Sequence, residues 1–180
     1  ERLWAKMFAI AEGFGYAGAE FRALSAIDIA LWDIAGQSMG EPIYNLLGGM
    51  SRDKIRIYNT IGSYGEYQDN EWELKDPVGL AQSYIDEGIT MFKSYYSMAI
   101  PQDDQGNFVA AKDIRKALEP LEKVRNAVGD QIEIAHDGGG QWSLPAAIRI
   151  CQAMEEYDIF WQEEMIRPVN VDAHLRLKEA

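Results

Sequence analysis

The spacing of apolar residues changes near residue 53 and divides the chain into two parts. Before this point, apolar residues recur at helical spacing, and the segment 24–35 is rich in Ala, Leu, Ile and Trp. Ser25 is the candidate N-cap of that helix, and a shorter helix is predicted at 43–47, ahead of two glycines. We therefore expect residues 1–52 to be helical, without a strand of useful length.

From residue 53 onward, short apolar runs of strand length alternate with longer amphipathic runs. They predict strands at 54–61, 89–96, 131–137 and 159–163, and helices at 76–87, 110–128, 143–157 and from 170 onward. Segment 62–75 is predicted as a loop, and Pro120 is expected to bend or interrupt its helix. Strand–helix units in succession predict a parallel sheet, either doubly wound or part of an α/β barrel.

The composition is that of a globular protein, with 47% hydrophobic residues and a strongly acidic charge balance. Lys and Arg number 17 while Asp and Glu number 29, which gives a formal net charge of −12. This charge disfavours nucleic acids and anionic membrane surfaces as partners, so an anionic substrate needs a local cation. The single cysteine, Cys151, excludes a disulfide framework and is expected to be a small buried hydrophobe.

The sequence shows neither a secretory signal nor an apolar run of membrane-spanning length. We therefore expect a cytoplasmic protein. The chain begins without Met and stops inside a helical pattern, which is typical of a segment of a longer polypeptide.

Two carboxylates end consecutive predicted strands, Asp137 after 131–137 and Glu163 after 159–163. The carboxyl ends of parallel strands share one rim, which is where α/β barrels place their chemistry. Oxygen ligands on adjacent strands suit a hard cation such as Mg²⁺. Lys93 and Tyr95 share one face of the preceding strand, so a cation, two carboxylates and a phenol are expected to converge.

These residues also have structural interpretations. A lysine at a strand end is often a solvated charge, and an acid there often caps the following helix. The glycines at 138–140 lie where a phosphate-binding turn would lie, but without the G-x-G-x-x-G spacing, so a turn that lets a ligand approach Asp137 is favoured. His136 has the opposite parity to Asp137 and is expected to face the helices, and His174 to lie on the surface.

Two blocks of the sequence resemble one enzyme superfamily. Ser-Ala-Ile-Asp-Ile-Ala-Leu-Trp-Asp-Ile-Ala-Gly at 25–36, followed by Pro-Ile-Tyr-Asn-Leu-Leu-Gly-Gly at 42–49, resembles the end of the capping domain in the enolase superfamily, in its mandelate racemase and muconate-lactonizing branch. The chain also resembles the barrel motifs of the same branch, in the same order, at Phe92-Lys93, at Asp137 with Trp142, and at Trp161-Gln162-Glu163-Glu164. The resemblance covers nearly the whole chain.

This resemblance implies that residues 1–52 are the helical C-terminal part of an α+β capping domain. Residues 53–180 would be the first half, about four βα units, of a modified TIM (β/α) barrel. It implies an Mg²⁺ enzyme that acts on a small-molecule carboxylate by removing the proton α to it, through an enediolate. Asp137 and Glu163 match the first two metal ligands, and Lys93 the first lysine of a Lys-x-Lys motif. A homo-oligomer is expected of the full-length protein.

The chain departs from the family pattern at three points. Tyr95 replaces the second lysine, the usual base, and Gly139 replaces a frequent Asn. The chain also ends before the strand of the third metal ligand and the family's His–Asp pair, so we expect these 180 residues alone to be inactive. The first departure favours an acid-sugar dehydratase, with Tyr95 as a hydrogen-bond donor in the pocket. The alternatives are an epimerase, racemase or cycloisomerase, or a non-catalytic homologue with a structural or regulatory role.

Overall fold

The computed structural model describes residues 2–15, 18–102 and 106–180. It divides into two compact units, Glu1–Ile55 and Arg56–Ala180. Within the described residues, no helix is both long enough and apolar enough to cross a membrane.

The first unit is helical, as its apolar spacing predicts. It contains α1 (Arg2–Ala11), a 3₁₀ turn (Glu12–Phe14), α2 (Ala19–Met39) and α3 (Ile43–Leu46). The N-cap prediction for Ser25 is wrong, because α2 begins at Ala19 and the Ser25 hydroxyl donates to the Phe21 carbonyl one turn earlier, at 2.8 Å.

The second unit is an α/β layer structure with a parallel sheet of order β1-β4-β5-β6 in the described part of the chain. The strands of this sheet are β1 (Asn59–Thr60), β4 (Met91–Ser94), β5 (Glu133–Asp137) and β6 (Gln162–Glu163). The helices are α4 (Asp69–Lys75), α5 (Pro77–Asp86), α6 (Ala111–Val128), α7 (Leu144–Met154) and α8 (Val171–Glu179). The predicted parallel sheet with intervening helices is confirmed, and these strands do not close into a barrel.

The region between β1 and α5 differs most from its prediction. Segment 62–75 holds an antiparallel hairpin of β2 (Ser63–Tyr64) and β3 (Tyr67–Gln68), followed by α4. Strand β1 is far shorter than the predicted 54–61, because it is an edge strand that pairs only with β4 in the described sheet. The side chains of Ile55 and Ile57 are accordingly exposed.

Local capping explains why α5 and α8 begin where the sequence predicts. The Asp76 carboxylate accepts from the Gly79 N–H at 2.9 Å, and the Asn170 side chain accepts from the Ala173 N–H at 3.0 Å. Helix α6 passes through Pro120 as one continuous helix, which corrects the expected interruption. Its apolar stripe, including the fully buried Leu121, packs into the core, and this packing offsets the hydrogen bond that proline cannot donate.

Candidate active site

The strand register sorts the polar residues of β4, β5 and β6 onto two faces of the sheet. Lys93 is level with Ala135, and Asp137 is level with Glu163, so these residues share what we call the site face. Ser94, His136 and Gln162 are level with one another on the opposite side, which we call the helix face. The predicted parity of Lys93, Asp137 and His136 follows from this register.

Three charged groups meet on the site face at the carboxyl ends of the strands. The Lys93 ammonium Nζ lies 3.0 Å from Asp137 Oδ2 and 3.0 Å from Glu163 Oε1. The side chains of Lys93 and Asp137 are 8% and 10% exposed, whereas that of Glu163 is 37% exposed. The two carboxylates therefore converge on one position, where a positive charge compensates them.

Each carboxylate is also held by a second, neutral donor. The Gly139 backbone N–H donates to Asp137 Oδ1 at 2.9 Å, and the Trp161 indole N–H donates to Glu163 Oε2 at 3.1 Å. All four carboxylate oxygens thus receive a hydrogen bond, which fixes the direction of both groups before a ligand arrives. The sequence did not indicate this role of Trp161. Its hydrogen bond to Glu163 joins residues two positions apart and depends on how β6 lies in the sheet.

The electrostatics of Lys93 follow from this geometry. Burial acts to lower the pKa of Lys93, but hydrogen bonds and charge attraction from Asp137 and Glu163 outweigh it and raise the pKa above its ordinary value. Lys93 is therefore a permanent cation at this rim.

Tyr95 follows β4 directly and lies at the edge of the site. Its ring centroid is 5.8 Å from Lys93 Nζ, which places the phenol beside the ammonium. Partial burial raises the pKa of Tyr95, so its hydroxyl stays protonated and remains able to donate. The structure thus brings together all four residues that the sequence selected.

His136 belongs to the helix face and is a buried, satisfied histidine. Its Nε2 accepts from the Ser97 N–H at 3.1 Å, and its Nδ1 lies 3.0 Å from Gln162 Oε1, so the ring proton is on Nδ1. Burial lowers the pKa of His136 to about 4. His174 lies on α8, where Nδ1 is 2.9 Å from the Asn170 carbonyl. In the described part of the chain, neither histidine forms a hydrogen bond with Lys93, Asp137 or Glu163, the three residues that we call the charged cluster.

The glycine turn after Asp137 packs against β6 and does not cradle a phosphate. The Gly138 N–H donates to the Glu163 carbonyl at 2.9 Å, and the Gly140 N–H to the Glu164 carbonyl. A Cβ at Gly138 would lie 2.7 Å from Met165 Sδ, so close packing explains this glycine. These N–H groups are already used, which leaves no free cradle.

A cavity of about 820 Å³ lies beside this turn. Its lining includes Gly139, Gly140, Trp142 and Arg167, but none of the charged cluster. The convergent charges therefore indicate the site of the chemistry more directly than this cavity does.

The donor set of the cluster fits part of a magnesium site. Two carboxylates with fixed, convergent oxygens are the ligands that hard divalent cations prefer. No group of three or more His, Cys, Asp or Glu side chains is placed to hold a metal within 2–15, 18–102 and 106–180. The described residues thus offer two acidic ligands.

Comparison with known proteins identifies the family. Residues 77–180 match the family described as "Enolase C-terminal domain-like", and residues 3–48 match the "Mandelate racemase / muconate lactonizing enzyme, N-terminal domain". The chain superposes with a TM-score of 0.80 on an enolase of the mandelate racemase subgroup from Agrobacterium tumefaciens, with 35% identity, over 97% of this chain and 46% of the other.

The names of the similar proteins cover more than one reaction. The chain is 32% identical to an arabinonate dehydratase of Saccharolobus solfataricus, over 99% of this chain and 43% of the relative. It is 29% identical to a D-galactarolactone cycloisomerase of Agrobacterium fabrum, over 99% of this chain and 43% of the relative. Other relatives are named as dehydratases of gluconate, mannonate and talarate or galactarate. The chain spans less than half the length of these relatives. It belongs to the mandelate racemase branch of the enolase superfamily.

Proposed function

We propose that the complete protein dehydrates a sugar acid by Mg²⁺-dependent removal of the proton α to its carboxylate. The observation that carries this proposal is the Lys93 ammonium, which lies 3.0 Å from the carboxylates of both Asp137 and Glu163. The names of several relatives as sugar-acid dehydratases support the reaction type. The 180 residues alone are proposed to be inactive, because they offer only two acidic ligands in the described part of the chain.

Asp137 and Glu163 are the residues that would hold the metal, together with a further ligand outside the described residues. Mg²⁺ bound there would place positive charge beside the substrate carboxylate and stabilise negative charge as it develops during proton removal. Trp161 and the Gly139 N–H keep the two carboxylates aimed at that position.

Lys93 and Tyr95 are proposed to act on the substrate directly. With Mg²⁺ bound to Asp137 and Glu163, the permanent cation Lys93 would add to a local positive charge that attracts a carboxylate into a protein whose formal net charge is −12. The protonated phenol of Tyr95 beside it donates a hydrogen bond to a substrate oxygen.

The dehydration itself removes the hydrogen from C2 and the hydroxyl from C3. A base takes the C2 proton, and the electrons of the C2–H bond form the enediolate of the carboxylate. Those electrons then form the C2–C3 double bond as the C3 hydroxyl leaves, with a proton, as water. The resulting enol becomes a 2-keto-3-deoxy acid. No described residue is assigned as the base or the acid for these steps. The reason is that Tyr95 occupies the position at which the branch commonly has its second lysine.

The test is an assay of the complete protein with a panel of pentonates, hexonates and aldarates in Mg²⁺, with detection of 2-keto-3-deoxy products. We expect turnover of at least one of these acids, and loss of that turnover in Asp137→Ala. Unchanged kinetics in Asp137→Ala would contradict the metal assignment.

The same assay, run in D₂O, separates the alternative reactions. Because one relative is named as a cycloisomerase, a lactone substrate belongs in the panel. Deuterium at C2 of recovered substrate with inverted configuration would favour an epimerase. Opening of a lactone to a keto acid, by a protein that dehydrates no open-chain acid, would favour a cycloisomerase. The absence of turnover and of exchange with every acid would favour the non-catalytic homologue.

A further inference from the structure

The β2–β3 hairpin rises from the same rim as the charged cluster. Thr60, the last residue of β1, is level with Lys93, and the Ile61 N–H donates to the Lys93 carbonyl at 2.9 Å. The hairpin begins at Ser63, so it lies beyond the carboxyl end of β1, at the end of the sheet where Tyr95 leaves β4.

This hairpin is firmly tied to the second unit. The Asp69 N–H donates to the Gly62 carbonyl at 3.1 Å and closes the hairpin at its base. The Asp69 carboxylate in turn accepts from the Tyr84 hydroxyl at 2.8 Å and from the Asn59 amide at 3.2 Å. At the tip, Gly65 has a φ of +62°, which a two-residue hairpin loop requires and which glycine adopts without strain.

Two tyrosines of the hairpin face solvent side by side. Tyr64 and Tyr67 are directly opposite each other in the register, so their side chains leave the same face of the hairpin. They are 70% and 67% exposed. The Tyr64 ring lies against the backbone of Gly62. A Cβ at residue 62 would collide with the ring, so this position of Tyr64 requires glycine at residue 62.

Tyr64 also lies near Tyr95, which follows β4 at the same rim. Burial is the main cause of the raised pKa of Tyr95, and the nearby Tyr64 adds to it, as do Asp137 and Glu163. Tyr64 is therefore close enough to Tyr95 for the two phenols to interact electrostatically. The hairpin lies beyond the carboxyl end of β1, so Tyr64 and Tyr95 belong to the same rim as the charged cluster.

Stability of the hairpin alone does not account for this arrangement. Cross-strand aromatic pairs do stabilise hairpins, but they do so by burying ring surface, and these rings remain mostly in water. A sugar acid presents weakly positive C–H groups, which suit the negative face of an aromatic ring, and hydroxyl groups, which suit a phenol.

We propose that Tyr64 and Tyr67 form a contact surface for the polyol chain of a substrate whose carboxylate lies at Lys93, and so help to select long sugar acids over short ones. This inference rests on the proposed function for its substrate class. It assigns the hairpin a part in substrate recognition, separate from the steps of the reaction.

The test measures binding by calorimetry in the complete protein with Mg²⁺, using a hexonate as the long ligand and glycerate as the short one. We expect Tyr64→Ala and Tyr67→Ala each to weaken hexonate binding about five-fold and to leave glycerate binding unchanged, because glycerate does not reach the hairpin. Tyr64→Phe is the matched control, since it keeps the ring and should retain most of the hexonate affinity.

The outcomes separate this inference from the proposed function. Equal losses for hexonate and glycerate, or unchanged hexonate affinity in both alanine variants, would overturn the contact surface. Selective loss of hexonate binding in a protein that turns over no sugar acid would support the contact surface while the dehydratase proposal fails. A wild-type protein that binds no hexonate would overturn the contact surface, whereas the proposed function is decided by turnover across the whole panel of acids.

Discussion

Buried polar groups on the two faces of the parallel sheet differ in charge and in the kind of partner they have. On the helix face, His136 is neutral, and both of its ring nitrogens have neutral partners in Ser97 and Gln162. On the site face, one residue along the chain, Asp137 shares the Lys93 ammonium with Glu163. Neighbours in sequence therefore belong to two environments, because successive side chains of a strand point to opposite faces.

This difference separates structural from functional polarity. A neutral group whose hydrogen bonds are all made has little left to offer a ligand, and it stabilises the fold by leaving nothing unpaired. Two carboxylates and one ammonium group together have a net charge of −1. The two carboxylates can therefore still bind a divalent cation. The following predictions test whether the two faces differ in this way.

The largest expected effect is on the charged cluster. Lys93→Met leaves the carboxylates of Asp137 and Glu163 close together without a cation, which should lower the free energy of unfolding of the complete protein by about 3 kcal/mol without metal. Mg²⁺ should restore part of that loss by binding the folded state. Chemical denaturation with and without Mg²⁺ measures both effects.

Lys75→Met is the matched control for this experiment. It breaks the 2.9 Å ion pair between Lys75 and Glu71, which is highly exposed on one turn of α4, so no measurable change in the free energy of unfolding is expected. If Lys93→Met were as harmless as Lys75→Met, the account of the site face would be wrong.

A smaller loss of stability is expected on the helix face. His136→Leu leaves the Ser97 N–H and the Gln162 amide oxygen without their partner, which should cost about 2 kcal/mol of unfolding free energy. Below the melting temperature, Mg²⁺ affinity should stay within about three-fold of wild type, since His136 does not contact the cluster. A large loss of metal affinity with intact stability would show that the two faces are not distinct.

The smallest expected effect is on the pH dependence of stability, and it concerns Glu73 of α4. The Glu73 carboxylate accepts a hydrogen bond from the Ser94 hydroxyl on the helix face at 2.5 Å. Burial raises the pKa of Glu73, against the bond from Ser94, so the folded state holds this proton more tightly than the unfolded state does. Its contribution to stability is therefore full below the unfolded pKa of about 4.3 and is lost as the pH rises through the folded value.

Glu73→Gln cannot ionise, so its stability relative to wild type should increase between pH 4 and pH 8, as measured by urea unfolding at several pH values. Glu71→Gln on the same helix is the control, for which no measurable change in relative stability with pH is expected, because the Glu71–Lys75 ion pair is highly exposed. A constant difference between Glu73→Gln and wild type across this range would refute the prediction.

The sequence predicted the order of elements well where helices alternate with buried strands. It failed at the edge of the sheet, since the alternating isoleucines of 54–61 cannot show whether a neighbouring strand is present to pair with them. The hairpin in 62–75 was also missed, because its strands are two residues long and depend on Asp69, Tyr84 and Asn59 for their position.

The candidate site was more predictable than the loops around it. Strand parity predicted one shared face for Lys93, Asp137 and Glu163 without knowledge of the tertiary structure, and the register agrees. Tyr95 lies just beyond the end of β4, so its position beside Lys93 does not follow from parity. Parity does not specify distances, nor the supporting bonds from Trp161 and Gly139, since these depend on the register between β5 and β6.

Mg²⁺ binding tests the central claim, that Asp137 and Glu163 are paired metal ligands. Calorimetric titration of the complete protein should give one Mg²⁺ per chain, and Asp137→Asn and Glu163→Gln should each weaken binding roughly 100-fold or more. Asp130→Asn, the same substitution at an exposed turn, should bind as wild type does. Equal Mg²⁺ affinity in all four proteins would contradict the account.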